Sequence, residues 1–235
     1  MRIVSWNSKV GFSTEKAKYI KSYNADLYVI QECAETNLDE LETYFSNRTF
    51  YCDYVDSKYG VGLFSEKFNF EILSEHNNSF RYIVPYRIFN KEYEFILFAI
   101  WTKNKDKKNR EIEYTEQTWK AITNDDYQKY LKGSVIMIGD FNSTNKLKQK
   151  PPHSQLIGKL KEYGLESAYH KYHNCMDCDE ITPTLFWTMN KDKKYHCDFC
   201  FVSSDYRVKN IIIESAEIWE KHKLSDHCPL IIDIE

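Results

Sequence analysis

Three short apolar runs in this chain each end on a polar side chain, and they limit its fold more than any other feature. Val4-Ser5-Trp6 leads into Asn7, Val29-Ile30-Gln31 into Glu32, and Met137-Ile138-Gly139 into Asp140. Continuous runs such as Leu27 to Ile30 and Val135 to Ile138 read as strands buried on both faces. A polar residue closing such a strand stands at the rim of a sheet, where binding groups collect.

The rest of the pattern is strand and helix in mixed order. Arg2 to Trp6 forms the first strand. Ser13 or Thr14 caps a helix that reaches about Tyr23 through Ala17, Tyr19 and Ile20, and Thr36 caps a second carrying Leu38, Leu41, Tyr44 and Phe45. From about Gly60 to Thr102 the runs Val61 to Phe64, Tyr82 to Val84 and Phe95 to Trp101 predict mostly sheet. Helices are expected over residues 114–131 and 153–163. The last third alternates Phe199 to Val202, Val208 to Ile213 and Pro229 to Ile234 with polar connections. No repeat or boundary interrupts the pattern, so residues 1–235 read as one domain, long enough to bury a sizeable core.

Composition narrows the class. Gly (7) and Pro (5) are scarce beside Tyr (18) and Phe (14), which excludes a disordered or linker-rich chain. The odd total of seven cysteines, and an opening Met1 to Trp6 without a leader pattern, lead us to expect a reduced, cytoplasmic protein. The most apolar stretch, Phe95 to Trp101, is far short of the roughly 20 residues that span a bilayer. A net charge of −3 lacks the overall basicity of many nucleic-acid binders, but local distribution decides phosphate binding.

Carboxylate and amide oxygens are what Mg²⁺ selects, and phosphoryl transfer needs a cation on the phosphate oxygens, so Glu32 is a strong ligand candidate. In order along the chain, Ser5-Trp6-Asn7, Ile30-Gln31-Glu32, Gly139-Asp140-Phe141-Asn142, His196-Cys197-Asp198-Phe199 and Ser225-Asp226-His227 resemble the motifs of the endonuclease/exonuclease/phosphatase superfamily. The resemblance spans nearly the whole chain. It implies an α+β fold, a four-layer α/β/β/α sandwich with two packed mixed sheets flanked by helices. It also implies a metal-dependent phosphodiesterase using Mg²⁺ or Mn²⁺. Carried over by position, Glu32 is the principal metal ligand, with Asn7 and Asp226 beside it. Asp140 takes the attacking water, Asn142 holds a phosphate oxygen, His227 meets the scissile phosphate, and Asp198 orients its ring. That pair has independent physical sense, because a carboxylate on an imidazole fixes its tautomer and favours the charged ring. Whether Asp140 or His227 takes the proton stays open at this stage. Two residues depart from the family pattern. Trp101 stands where many members carry a histidine, and Lys9 stands where several branches carry a carboxylate or arginine and would meet a phosphate directly.

Basic clusters at Lys103 to Arg110, Lys146 to Lys150 and Lys191 to Lys194 adjoin these motifs, either as a rim for a polyanion or as solvated loop tips. Trp187, Tyr195 and Trp101 are candidates for stacking on bases or for core. His170, His173, Cys175 and Cys178 have zinc-ligand chemistry in an unfamiliar spacing, or form a polar loop with reduced thiols. Cys197 and Cys200 fall on opposite faces of one strand and read as core thiols. The leading expectation is a nuclease for DNA or RNA. The alternatives are a phosphatase or phosphodiesterase for a small ester, such as an inositol phosphate or nucleotide, and a nucleic-acid-binding module without turnover. Oligomeric state has no sequence signal here.

Overall fold

A computed structural model describes residues 1–54, 58–103, 114–177 and 179–235. The strands are β1 (Arg2–Asn7), β2 (Leu27–Ala34), β3 (Asn47–Tyr51), β4 (Tyr59–Ser65), β5 (Asn69–Ile72), β6 (Ile83–Phe89), β7 (Glu94–Trp101), β8 (Val135–Asp140), β9 (Leu165–Ser167), β10 (Leu185–Phe186), β11 (Lys194–Tyr195), β12 (Asp198–Ser203), β13 (Val208–Ile213) and β14 (Leu230–Ile234). The helices are α1 (Thr14–Lys21), α2 (Tyr114–Ile122), α3 (Asp125–Gln128), α4 (His153–Glu162), α5 (Ala168–His173) and α6 (Ala216–His222).

Two mixed six-stranded sheets form, in the orders β13-β14-β1-β2-β4-β3 and β5-β6-β7-β8-β12-β9. Alternation along the strands assigns each apolar residue a layer. Ile3, Leu27, Val29 and Leu63 of the first sheet meet Val84, Leu97, Ile136, Ile138 and Val202 of the second in the central core. The opposite faces are covered in turn. Val4, Trp6 and Ile30 pack with Phe12, Ala17, Ile20, Leu41 and Phe45, while Phe98, Met137 and Phe201 pack with Ala121, Ile122, Leu156, Ile157 and Leu160. The result is the expected four-layer α/β/β/α sandwich, with each buried Ile, Leu or Phe contributing about 1.5–3 kcal/mol. Ala168 and Tyr169 of α5 enter the central core beside the edge strands β9 and β13.

Two predicted helices take other forms. Where Thr36 is expected to cap a helix, the chain makes 3₁₀ turns at Glu35–Asn37 and Glu40–Thr43. Leu38, Leu41 and Tyr44 recur every third residue, the period of a 3₁₀ turn, in which i and i+3 eclipse. The helix expected over 114–131 stops at Ile122; Asn124 then caps α3, its Oδ1 accepting the Asp126 amide at 3.1 Å. Among the described residues no helix is long and apolar enough to cross a membrane.

Strand direction gathers the polar strand ends. β1 and β2 are parallel, as are β7 and β8, and Trp101 lies level with Asp140. Antiparallel β12 begins with Asp198 directly opposite Asp140. Asn7, Glu32, Trp101, Asp140 and Asp198 therefore share one rim of the sandwich.

Candidate active site

The inward parity that buries Ile136 and Ile138 also turns Asp140 inward, and the parity of Cys200 and Val202 does the same for Asp198. Glu32 does not follow alternation. Between Gln31 and Cys33 the β2/β4 register slips, and Glu32 is the extra residue, with φ of 56°. A bulge re-aims a side chain at local backbone cost, a device concentrated near functional sites. Here it brings Glu32 Oε1 to 3.1 Å from Asn7 Nδ2. Gly139 allows the neighbouring approach. Its φ is 144°, and a Cβ would lie 1.9 Å from the Ile100 carbonyl oxygen.

Asp140 is fully buried and heavily hydrogen-bonded. Its Oδ2 accepts Asn142 Nδ2 at 2.7 Å and Asn7 Nδ2 at 3.0 Å, and its Oδ1 accepts the Asn142 amide at 2.9 Å. Asn142, itself left-handed at φ 47°, also donates Nδ2 to the Thr102 carbonyl at 3.0 Å. Burial pushes the Asp140 carboxyl up to about 7, with nearby Asp198 adding to the rise and His227 opposing it. His227 Nδ1 donates to Asp198 Oδ2 at 2.9 Å, leaving Nε2 3.9 Å from Asp140 Oδ2 across a narrow gap. Burial alone would lower the pKa of His227, but the carboxylates of Asp198 and Asp140 outweigh it and raise the ring to about 10. It is an imidazolium at neutral pH.

The segment carrying His227 is tied on both sides. Trp6 Nε1 donates to the His227 carbonyl at 2.8 Å, and Ser225 Oγ donates to the Asn7 carbonyl at 2.7 Å. On the other flank, the Phe186 amide reaches the Asp226 carbonyl and the Cys228 amide the Thr184 carbonyl, both at 2.7 Å. Thr184 Oγ1 also accepts the amides of Cys197 and Asp198 at 3.0 and 3.1 Å, so one residue registers both members of the Asp198–His227 pair. Sequence reasoning missed Thr184, because a threonine in a polar connection carries no motif.

Two donor sets are candidates for a divalent cation. Asp140, Cys197, Asp198 and His227 each bring one ligand atom within 4.8 Å of the others. In that set His227 Nδ1 is engaged by Asp198 at 2.9 Å, and burial raises the Cys197 thiol well above its ordinary value, which disfavours the thiolate that a metal would need. The other set is oxygen only. Glu32 Oε1 and Oε2 each accept one N–H, from Asn7 and Val10, and Asn7 Oδ1 accepts the Lys9 amide at 3.0 Å. Lone pairs remain on all three, and this chemistry fits Mg²⁺ or Mn²⁺. Asp226, the third expected ligand, is ion-paired to Lys9 Nζ at 3.0 Å, an arrangement that also anchors Lys9 at the rim.

A cavity of about 300 Å³ opens beside Asn142 and Cys197, walled by Tyr114, Thr144, Leu147, Leu185, Trp187 and Tyr195. Trp187 is 51% exposed. Lys193 Nζ lies 4.9 Å from its ring centre, and Lys146 Nζ lies 6.0 Å from that of Tyr195. Two of the basic clusters thus border this cavity, while the third beyond Lys103 lies outside the described residues. Trp101 goes elsewhere. It is 6% exposed and enters the central core against Tyr82, with Lys103 Nζ 5.2 Å from its ring centre. The proposed zinc segment is not assembled among the described residues: His170 Nε2 lies 3.0 Å from Glu180, no three-ligand group forms there, and Cys178 lies outside the described residues. Cys200 is a core thiol as expected, whereas Cys197 lies against a rim carboxylate, its Sγ 3.6 Å from Asp198 Oδ2.

No protein-family model and no curated protein matches the sequence. Solved structures do match in shape. An AP endonuclease from Archaeoglobus fulgidus aligns with TM-score 0.68 at 16% identity, covering 100% of this chain and 99% of that one. The endonuclease domain of a telomere-specific non-LTR retrotransposon aligns at 0.65 and 16%, covering 100% and 97%. A mannosyl-6-phosphatase from Bacteroides thetaiotaomicron aligns at 0.62 and 15%, covering 100% and 99%. The shared feature is the fold, that of endonuclease/exonuclease/phosphatase proteins.

Proposed function

We propose, on a fold shared with nucleases and a phosphatase, that this chain is a divalent-metal-dependent phosphodiesterase whose preferred substrate is DNA or RNA. The observation that carries the reading is the Asp198–His227 pair facing a buried Asp140 that both Asn7 and Asn142 hold. Glu32 and Asn7 would hold Mg²⁺ or Mn²⁺, whose charge offsets that of the phosphate oxygens. Asp140 Oδ2, held by two amides, takes the proton of the attacking water. His227 is the poorer base because it is already protonated, and its Nε2–H is the group that steadies charge on the phosphate in the transition state. Asp198 keeps that charge in place, and Asn142 borders both the carboxylate and the cavity where substrate would enter.

The polymer reading is supported by exposed Trp187 with Lys193 and Lys146 around the cavity, since aromatic faces and lysines together suit bases and phosphates. The limited cavity volume supports the second reading, a small phosphate ester held in one compartment. Residues 1–235 serve as one catalytic unit in either case. The deciding assay is cleavage of single- and double-stranded DNA and RNA, alongside nucleotide and sugar or inositol phosphates, with Mg²⁺, Mn²⁺ or chelator. Asp140→Asn and His227→Ala should each lose at least ~100-fold in rate, as expected for a general base or a charge-stabilising donor. Metal-independent cleavage, or variants as active as the wild type, would sink the mechanism. Turnover of small esters alone would leave the mechanism and remove the nuclease.

A further inference from the structure

The loop from Ser8 to Gly11 is folded against the usual preference of L-residues. Lys9, Val10 and Gly11 follow one another with φ of 49, 58 and 102°, and left-handed residues in succession are costly outside glycine. The peptide groups of this loop sort to two sides. On one side the Lys9 amide reaches Asn7 Oδ1 at 3.0 Å, the Val10 amide reaches Glu32 Oε2 at 2.9 Å, and the Gly11 amide reaches the Glu32 carbonyl at 2.8 Å. Two of these amides hold the side chains that offer oxygens to a cation, and the third holds the backbone of Glu32. On the other side the carbonyls of Ser8, Lys9 and Gly11 converge on Lys16 Nζ, the latter two at 2.8 Å and the first in closer contact. An ammonium has three N–H donors, and this loop takes all of them.

We propose that Lys16 is a positioning residue for the cation site, its ammonium holding three carbonyls on one side of the loop so that the amides face Glu32 and Asn7 on the other. The inference rests on the reading of Glu32 and Asn7 as the cation's oxygen donors. Three carbonyl dipoles aimed at one point repel each other unless a positive charge sits there. A neutral side chain of equal length leaves them free to turn, and the left-handed run relaxes with them. Arginine is no substitute, because a planar fork cannot serve three acceptors that converge on one atom.

The test is Mn²⁺ binding by the full chain without substrate, read by electron paramagnetic resonance. Wild type and Glu32→Gln set the scale. Lys16→Met should raise the Mn²⁺ dissociation constant about 10–100-fold, the usual effect of losing an outer partner of a metal ligand. Lys16→Cys alkylated with bromoethylamine regains an ammonium at lysine length and should recover binding, whereas the neutral adduct of iodoacetamide should not; the wild type treated with each reagent is the control for the other cysteines. Wild-type affinity in Lys16→Met, or equal recovery by both adducts, would overturn the proposal. If the Lys16 variants do not fold, the wild type still decides. Ammonium protons held by three carbonyls exchange slowly and give a resolved ¹⁵N-correlated signal, and absence of that signal rejects the arrangement. Equal Mn²⁺ binding by wild type and Glu32→Gln would instead retire the cation site itself, an outcome the ammonium signal does not depend on.

Discussion

Replacing Thr184 by valine exchanges one hydroxyl for a methyl of similar volume at a fully buried position. Two backbone amides, those of Cys197 and Asp198, then lose their acceptor in a place water does not reach. Each orphaned donor costs about 1–3 kcal/mol, so the pair costs about 2–6 kcal/mol, a large share of the ~5–15 kcal/mol by which a domain is stable. Thr118→Val is the matched control, because the Thr118 hydroxyl is equally buried and makes no hydrogen bond among the described residues. Urea denaturation followed by circular dichroism measures both. Thr184→Val should move the midpoint strongly at unchanged slope, and Thr118→Val should leave it unchanged or raise it. A Thr184→Val stability within about 0.5 kcal/mol of wild type, the range of an ordinary surface substitution, would refute the reasoning, as would equal costs at the two sites. Activity should fall in step, since Asp198 loses the bond that sets its backbone beside His227.

Three other outcomes follow from positions already described. Gly139→Ala places a methyl against the Ile100 carbonyl in a backbone conformation L-residues rarely adopt, so it should destabilise by several kcal/mol and displace Asp140, giving a lower melting temperature together with lost activity. Glu214 is buried between Tyr23 and His222, and burial pushes it up to about 8 from 4.5. The folded chain then keeps a proton that the unfolded chain has released, so stability is full below pH 4.5 and declines as pH rises towards about 8. His222, lowered from 6.5 by burial, acts in the opposite sense only below that pH. Asp140, raised to about 7, and His227, raised to about 10, add declines of their own, so the part due to Glu214 is the difference between wild type and Glu214→Gln across pH 6.5 to 8. Glu214→Gln should flatten the decline in thermal melts, and a wild type that grows more stable across that window contradicts it. Trp187→Ala should raise KM for a polymer with little change in kcat, by the ~1–3 kcal/mol that stacking one base contributes; an unchanged KM for every substrate removes Trp187 from recognition.

The strands and the rim residues were legible because both leave local marks. A buried strand needs an unbroken apolar run, and a rim residue follows it directly, so Asn7, Asp140 and the inward-facing Asp198 could be placed from pattern and resemblance. Glu32 was named from its motif, but the bulge that turns it towards Asn7 is a mismatch between β2 and β4, and pairing register is not written in either strand alone. Trp101 was a candidate for stacking or for core, and its parity, the same as that of Leu97 and Ala99, turns it inward against Tyr82. Lys16 and Thr184 carry no signal at all. Their roles consist of hydrogen bonds to backbone atoms of other segments, and backbone atoms are the same in every sequence.

Asp140 and Asp198 face each other across β8 and β12, both buried. Like charges set directly opposite on neighbouring strands work against folding, and the cation on His227, with the donors Asn7 and Asn142 on Asp140, offsets them only in part, since Asp140 is still raised to about 7. One nucleotide separates an aspartate codon from an asparagine codon, and asparagine at either position would relieve the repulsion while keeping the shape. Random drift in a lineage with no use for this pair would therefore run downhill to the amide. Two acids and a histidine standing together are a combination that stability alone does not account for, and the proposed turnover does.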